Sequence, residues 1–345
     1  MSQTSQGNVS RVPIALAIGD PAGVGPELAA KLAADPDVAA ATHLIVIGDR
    51  RILERGAAEM GVVLDLEPRT LADAAASAGR YVFVDLAHLD PQSIERSVSS
   101  QAGGRFALDN FTACLRLAQA GKVAAVCFTP FNKAAMRMAH PGYDDEIGYT
   151  AEVLGTPDIV AREFNVLEGL WNARVTSHVP LSAVASLITT SKVLEDLRLT
   201  DRSMRGAGLA NPRIAVAALN PHAGEGGNFG HEDDMFISPA VEQARQEGIN
   251  AEGPFPSDTV FVRATKGAFD AVLTMYHDQG QIAMKLIGFD RGVTLLGGFP
   301  FPICTPAHGS AYDIAGKGVA NVGASKAAVL LAASMSRRSP ARAAA

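Results

Sequence analysis

Residues 213–234 read RIAVAALNPHAGEGGNFGHEDD, and the two parts of that stretch call for different structure. Residues 214–219 are apolar without a break, the pattern of a strand buried on both faces in a parallel sheet. Such sheets bind ligands beyond the carboxyl ends of their strands, where Asn220, His222 and Glu225 fall. Gly224, Gly226, Gly227 and Gly230 permit backbone angles closed to most residues and let a ligand approach closely. Residues 232–234 supply an acidic first helical turn, where the helix dipole favours negative charge.

Two other stretches have the same design. RVTS (174–177) leads into His178, and AVLTM (271–275) leads into Tyr276, His277 and Asp278. Three histidines at three strand exits suit a divalent metal, because neutral imidazole is a common ligand and three protein ligands leave a position open for substrate.

Working outward, strand patterns at 12–18, 44–47, 81–84 and 123–128 alternate with helical patterns at 26–34, 51–60 and 106–120. That alternation predicts an α/β fold with a largely parallel sheet. Further helices are expected at 191–197, 202–209, 239–246 and 324–335. A chain of 345 residues exceeds one ordinary core, so two α/β domains around a central cleft are expected. The first would take 11–140 plus 295–335 and the second 141–294, with 1–10 and 336–345 as flexible tails. GDPAGVGPE (19–27) follows the first strand and opens a helix with Pro26 at its first position, but it lacks the dinucleotide fingerprint. TPFNK (129–133) aims Asn132 and Lys133 at the cleft. Gly148, Tyr149 and Thr150 precede a helix that ends near Leu154, and Asp258 stands near a turn or strand start, where an aspartate usually caps.

Hydrophobic residues make up 48% of the chain and charged ones 19%, the balance of a well-buried enzyme. A net charge of −6 with scattered basic residues offers nucleic acid no broad attraction. No apolar run is long enough for a bilayer, and residues 1–10 lack the apolar core of a secretory signal. Cys114, Cys127 and Cys304 are odd in number and dispersed, which predicts reduced thiols and a cytoplasmic protein.

From Gly19 to Gly318, GDPAGVGPE, LNPHAGEGG (219–227), GPFPSDT (253–259), YHDQG (276–280) and HGSAYDIAGKG (308–318), in this order, resemble the 4-hydroxythreonine-4-phosphate dehydrogenase family of pyridoxine biosynthesis. The resemblance implies an isocitrate/isopropylmalate-dehydrogenase-like fold, NAD, and a homodimer with the site at the subunit interface. It also implies one divalent ion per site (zinc, magnesium, manganese or cobalt) held by His178, His222 and His277. The loop after residue 307 is similar to an adenine-binding loop. This implies cofactor contacts at His308, Gly309, Asp313, Ile314 and Asn321. Asp313 and Ile314 stand where NADP-using relatives carry a basic residue, and a carboxylate there accepts from a ribose hydroxyl and repels a 2′-phosphate.

The family's substrate contacts fall here on Tyr149, Thr150, Lys285, Thr294 and Ile303. Tyr149 replaces a histidine, Thr294 an asparagine and Ile303 an arginine, so a phosphate clamp is lost. The Gly-Tyr pair and the double glycine at 297–298 resemble the branch that oxidises cis-dihydrodiols of aromatic carboxylates such as terephthalate. The expectation is therefore a metal- and NAD-dependent dehydrogenase that oxidises a secondary alcohol to a β-keto acid, which decarboxylates. The expected substrate is a non-phosphorylated dihydrodiol carboxylate, and the alternative is 4-hydroxythreonine 4-phosphate itself. Lys285, Asp258 and Asp278 are the candidates for proton transfer and ligand orientation. An NAD-independent metal hydrolase or lyase, or a non-catalytic metal-binding protein, would use the same histidines without the 308–321 loop.

Overall fold

Apolar strands that bury both faces need helices on either side, and the chain supplies them in turn. The structure, a computed structural model, describes residues 11–76, 81–167 and 169–338. Its described residues form two compact units. Unit 1 holds 11–157 and 309–337, and unit 2 holds 158–308 with Arg338.

Unit 1 begins with β1 (Val12–Ala17), α1 (Gly25–Ala34), α2 (Pro36–Ala41) and β2 (Thr42–Gly48). It continues through α3 (Arg50–Met60), β3 (Glu67–Arg69), β4 (Tyr81–Asp85), α4 (Gln101–Gln119), β5 (Ala125–Phe128), α5 (Lys133–Ala139) and α6 (Glu146–Leu154). Its strands run in the order β3-β4-β2-β1-β5, every neighbour parallel. Helix starts are capped by side chains that accept from the first turn: Asp35 for α2, Asp49 for α3, Ser100 for α4, Asn132 for α5 and Asp145 for α6. Each cap satisfies amides that the helix cannot. Phe111 packs among Phe128, Phe131 and Tyr149, with ring centroids 5.0–6.2 Å away.

Unit 2 contains β6 (Arg162–Leu167), β7 (Leu170–Arg174), α7 (Leu181–Leu187), α8 (Thr190–Gly206), β8 (Ile214–Ala217), α9 (Ser238–Gln246) and β9 (Ala251–Phe255). Then come α10 (Ser257–Thr265), β10 (Ala271–Thr274), α11 (His277–Gly288), β11 (Val293–Gly297) and β12 (Ile303–Pro306). The order is β12-β11-β6-β7-β10-β8-β9. The strands β7, β10, β8 and β9 are parallel, whereas β6 pairs antiparallel with β7 and β11, and β11 with β12. The largely parallel expectation therefore holds for unit 1 and for half of unit 2. Sequence periodicity misses the β6–β7 hairpin because its turn lacks a diagnostic pair of turn residues. The last helix, α12 (Gly323–Arg338), returns the chain to unit 1.

Several boundaries differ from those the sequence suggests. The helices expected at 191–197 and 202–209 are parts of the single α8, which runs through residues 198–201 and ends at Gly206, three residues short of the expected end. Gly148, Tyr149 and Thr150 lie inside α6, and Asp258 lies in the first turn of α10. Residues 336–338 are helical, with Arg337 donating to the Ala41 carbonyl at 2.6 Å; 1–10 and 339–345 lie outside the described residues. The unit boundaries fall after residues 157 and 308 instead of 140 and 294. α6 stays with unit 1 because Tyr149 Oη bonds Thr112 Oγ1 of α4 at 2.7 Å, and β11 and β12 join unit 2 because β11 pairs with β6.

A side chain at Gly104 would place its Cβ 1.9 Å from the Ala135 carbonyl oxygen, so α4 and α5 meet backbone to backbone. Gly104→Ala is expected to destabilise the protein by about 1–3 kcal/mol in chemical denaturation, as overpacking does. An unshifted midpoint would contradict that close approach.

Candidate active site

Parallel pairing sets the histidine positions. β7 and β10 are in register with Arg174 opposite Thr274, and the pairing continues past both ends: Val175 N donates to Thr274 O at 2.9 Å and Thr176 N to Met275 O at 3.1 Å. The two exits therefore leave the sheet side by side. The His178 and His277 rings come to 5.7 Å between centroids, at 41°.

Arg174, 3% exposed, anchors the first exit. Its guanidinium donates to Asn165 Oδ1 at 2.6 Å and Ser177 Oγ at 3.0 Å, and pairs with Glu163. Burial pulls its pKa down from the usual arginine value, and Glu163 acts against that shift. The second exit is held by Gln279. Its Oε1 accepts from Met275 N at 2.6 Å, and its Nε2 donates to Ala218 O at 2.7 Å and Ser257 Oγ at 2.8 Å. One amide thus joins the ends of β10 and β8 to the start of α10. Gly280 lies where a Cβ would meet Asn172 Oδ1 at 2.2 Å. Asn172 is wholly buried and donates to the Val272 carbonyl at 3.0 Å. The motif YHDQG therefore divides its labour: His277 projects, Gln279 fastens, and Gly280 lets α11 sit on β7. Asp278 Oδ1 lies 2.7 Å from His277 Nδ1, the contact that fixes ring orientation and leaves Nε2 for a ligand.

The glycine-rich stretch after β8 is a left-handed turn. His222, Ala223, Gly224, Glu225 and Gly226 have φ of 52°, 56°, 80°, 43° and 65° in succession. Each non-glycine residue there costs roughly 1–2 kcal/mol, so something must hold the loop. Asp233, fully buried, does so: its carboxylate accepts from Leu219 N at 2.9 Å, Asn220 N at 3.1 Å and Asn220 Nδ2 at 3.0 Å. Asn220 Nδ2 also donates to Glu232 Oε2 at 2.8 Å, and this bond holds the Glu232 carboxyl below its ordinary pKa. The expected acidic helix start is instead one wide turn, Asp233–Ile237, running into α9, and Asp233 faces back to the strand end. Sequence reasoning missed this clasp because the partners are 13 and 14 residues apart.

His222 is exposed on this loop with its ring 6.1 Å from that of Phe229. Among the described residues no group of three or more His, Cys, Asp or Glu is placed to hold a metal ion. The residues fit a divalent ion in part. Of the three histidines, His178 and His277 are the pair whose rings adjoin, at 5.7 Å between centroids. His222 does not complete the set within one chain.

Asp258 and Lys285 are exposed. Lys285 lies eight residues beyond His277 on α11, following Gln281, which donates to Asn165 Oδ1 at 2.7 Å. Thr294 is opposite Asn165 on β6 and Thr305 on β12, and Ile303 lies two residues from Thr305. All four therefore share one face of the sheet, and α11 reaches that face at Asn165 through Gln281. Ile303 is 0% exposed there, so it is packing material in this chain. In unit 1, Tyr149 Oη is bonded to Thr112, and buried Thr150 donates to the Glu146 carbonyl at 2.6 Å. Both residues are thus engaged within the packing of α4 and α6.

The 308–321 loop is built on GDPAGVGPE. Val24 N donates to Ser310 O at 3.0 Å, Gly318 N to Glu27 Oε1 at 3.0 Å, and a Cβ on Gly23 would lie 2.5 Å from Ser310 O. Ile314 packs against Val24, Leu28 and Ala320 while Asp313 is exposed. Asn321 Oδ1 accepts from Gly323 N at 2.8 Å, at the start of α12. His308 is half-buried and Gly309 exposed. The sequence showed two separate glycine-rich loops; they are one structure.

A family model described as "Pyridoxal phosphate biosynthetic protein PdxA" matches residues 40–332. A Rhizobium meliloti protein named "Putative 4-hydroxythreonine-4-phosphate dehydrogenase 2" is 60% identical over 97% of this chain and 96% of its own length. The crystal structure of 4-hydroxythreonine-4-phosphate dehydrogenase from Klebsiella pneumoniae superposes with a TM-score of 0.83 at 32% identity, covering 95% of this chain and 99% of that one. A terephthalate 1,2-cis-dihydrodiol dehydrogenase from Burkholderia xenovorans follows with a TM-score of 0.66 at 29% identity, covering 94% and 98%.

Asp233→Ala strands the Leu219 and Asn220 amides. The expected cost is about 1–3 kcal/mol for each amide left buried without an acceptor, together with faster proteolysis within residues 221–230. Unchanged cleavage and an unchanged urea midpoint would show that the loop holds itself.

Proposed function

The chain belongs to the PdxA family of pyridoxal phosphate biosynthetic proteins, and we propose that it catalyses NAD-dependent oxidation of a phosphorylated hydroxy acid of the 4-hydroxythreonine 4-phosphate type. It is an oxidoreductase that acts on a hydroxyl group. The substrate class is carried by the near full-length match to the Rhizobium meliloti protein. The dihydrodiol reading gives way to its alternative, since the terephthalate enzyme is the more distant structural match of the two. The physical premise of that reading also weakens. Ile303 is fully buried and the Tyr149 hydroxyl is bonded within unit 1, so neither is the exposed apolar wall that would select an aromatic ring. Exposed Lys285 is the side chain assigned to the substrate's negative charge, and Thr294 is assigned a further substrate contact.

Oxidation of the secondary alcohol gives a β-keto acid, which then loses carbon dioxide. When bound, NAD accepts the hydride and a divalent ion polarises the alcohol oxygen and steadies negative charge. His178, His222 and His277 would hold the ion. We assign orientation of the His277 ring to Asp278, supported by its 2.7 Å contact with Nδ1, and relay of the alcohol proton to Asp258, next in sequence to Ser257. Asp313 favours NAD over NADP by repelling a 2′-phosphate, while His308, Gly309, Ile314 and Asn321 shape the adenine end. Because one chain brings only His178 and His277 together, we assign completion of the ligand set to a homodimer. The exposed Ile282 and Leu286, one turn apart on α11 at 61% and 83% exposure, support a covering second copy. No described helix is long and apolar enough to cross a membrane, and three buried cysteines outside any disulfide fit the proposed cytoplasmic location.

Steady-state kinetics test the substrate. Saturable NAD reduction with micromolar 4-hydroxythreonine 4-phosphate is expected; turnover confined to a dihydrodiol carboxylate would reverse the conclusion. His277→Ala is expected to lower kcat/KM by more than the roughly 10- to 100-fold typical of losing a residue that merely supports a ligand. Full activity of that variant in metal-buffered assays would remove His277 from the metal site.

A further inference from the structure

Unit 1 contains a polar cluster that the catalytic reading above does not use. Tyr312 lies in the 308–321 loop, directly before Asp313. Its main chain and its side chain are both held: Ser97 Oγ donates to the Tyr312 carbonyl at 2.6 Å, and Asn132 Nδ2 donates to the Tyr312 hydroxyl oxygen at 2.7 Å. The same Asn132 amide donates to Ser99 Oγ at 2.9 Å, and Ser99 Oγ is 3.4 Å from the hydroxyl. Beneath them is Asp20, 2% exposed, at the exit of β1. Its Oδ1 accepts from Ala22 N at 2.9 Å, while Oδ2 is buried without a hydrogen-bond partner. Three pieces of chain converge here: the GDPAGVGPE loop, the segment entering α4, and TPFNK entering α5.

The donors and acceptors account for one another. The Tyr312 oxygen accepts from Asn132, which leaves its proton for an acceptor, and buried Asp20 Oδ2 is an acceptor that lacks a donor. An unmet buried carboxylate oxygen is costly, so the arrangement favours a Tyr312 side chain drawn toward Asp20. Burial, together with the charge of Asp20, raises the tyrosine pKa to about 12, so the hydroxyl remains a donor at neutral pH.

We propose that Tyr312 is a positioning residue for cofactor binding: with Asp20, Ser97, Ser99 and Asn132 it latches the 308–321 loop in the shape that presents Asp313 to the ribose of a nicotinamide dinucleotide. The proposal rests on the cofactor reading above. It accounts for why GDPAGVGPE and TPFNK carry polar residues at strand exits without either being a dinucleotide fingerprint. The latch preforms the loop, so binding need not order it, and affinity gains by that amount.

Two measurements on Tyr312→Phe and Ser97→Ala test it. Hydrogen exchange of the ligand-free protein is expected to show residues 309–318 opening about tenfold faster in each variant, with β1, β2 and β5 unchanged. Fluorescence titration with NADH is expected to weaken about tenfold, equivalent to about 1.4 kcal/mol, while kcat at saturating NAD stays within twofold. That split in KM against kcat is one a general loss of stability would not produce. Unchanged exchange, or faster exchange with unchanged NADH affinity, would overturn the proposal. If the unmodified protein bound no NADH, the cofactor reading would fall and with it the positioning role, while the exchange data would still show whether the latch exists.

Discussion

The parallel ladder joining β7, β10 and β8 is the constraint on which the histidine-bearing edge of unit 2 depends. A parallel pair sends both chains out of the sheet at the same edge, so a residue a few positions past each strand arrives with its neighbour whatever the intervening sequence. His178 and His277 follow strands whose register continues past their ends through Val175 and Thr176. Without that continuation the two imidazoles would belong to independent loops. Gln279 extends the same logic sideways, tying the exits of β10 and β8 to α10 through one amide.

Against this rigid edge stands a loop in an expensive conformation. Five successive left-handed residues carry His222, and such backbone persists only where its surroundings over-determine it. Here the determinant is buried Asp233, whose carboxylate satisfies two main-chain amides at the base of the loop. A charge buried for this purpose is stable because its acceptor capacity is used. The loop displays His222 at the surface instead of turning it inward.

Unit 1 solves a different problem with similar means. Gly23 allows the 19–27 and 308–321 loops to touch backbone to backbone, where a Cβ would lie 2.5 Å from the Ser310 carbonyl oxygen, and Gly318 lets the second loop reach α3, where a Cβ would lie 2.4 Å from the Glu59 carbonyl oxygen. The polar groups stranded by that approach are met by Glu27, Ser97 and Asn132. The exposed carboxylate of Asp313 stands between two half-buried neighbours, Tyr312 held by Ser97 and Asn132, and Ile314 packed on Val24 and Leu28.

The sequence by itself determined the alternation of strands and helices, the three histidine-bearing exits, and the order of motifs that places the chain in its family. Each of these is local: apolar period, a strand followed by turn residues, a string of glycines. Tertiary structure alone decided that β6, β11 and β12 run antiparallel, that one helix spans residues 190–206, and that Ile303 is fully buried. It also decided that Asp233 clasps a strand end 13 and 14 residues away, and that Tyr312 meets Asn132, 180 residues distant. A buried polar group takes whichever partner the packing brings within 3 Å, and separation along the chain carries no record of that choice.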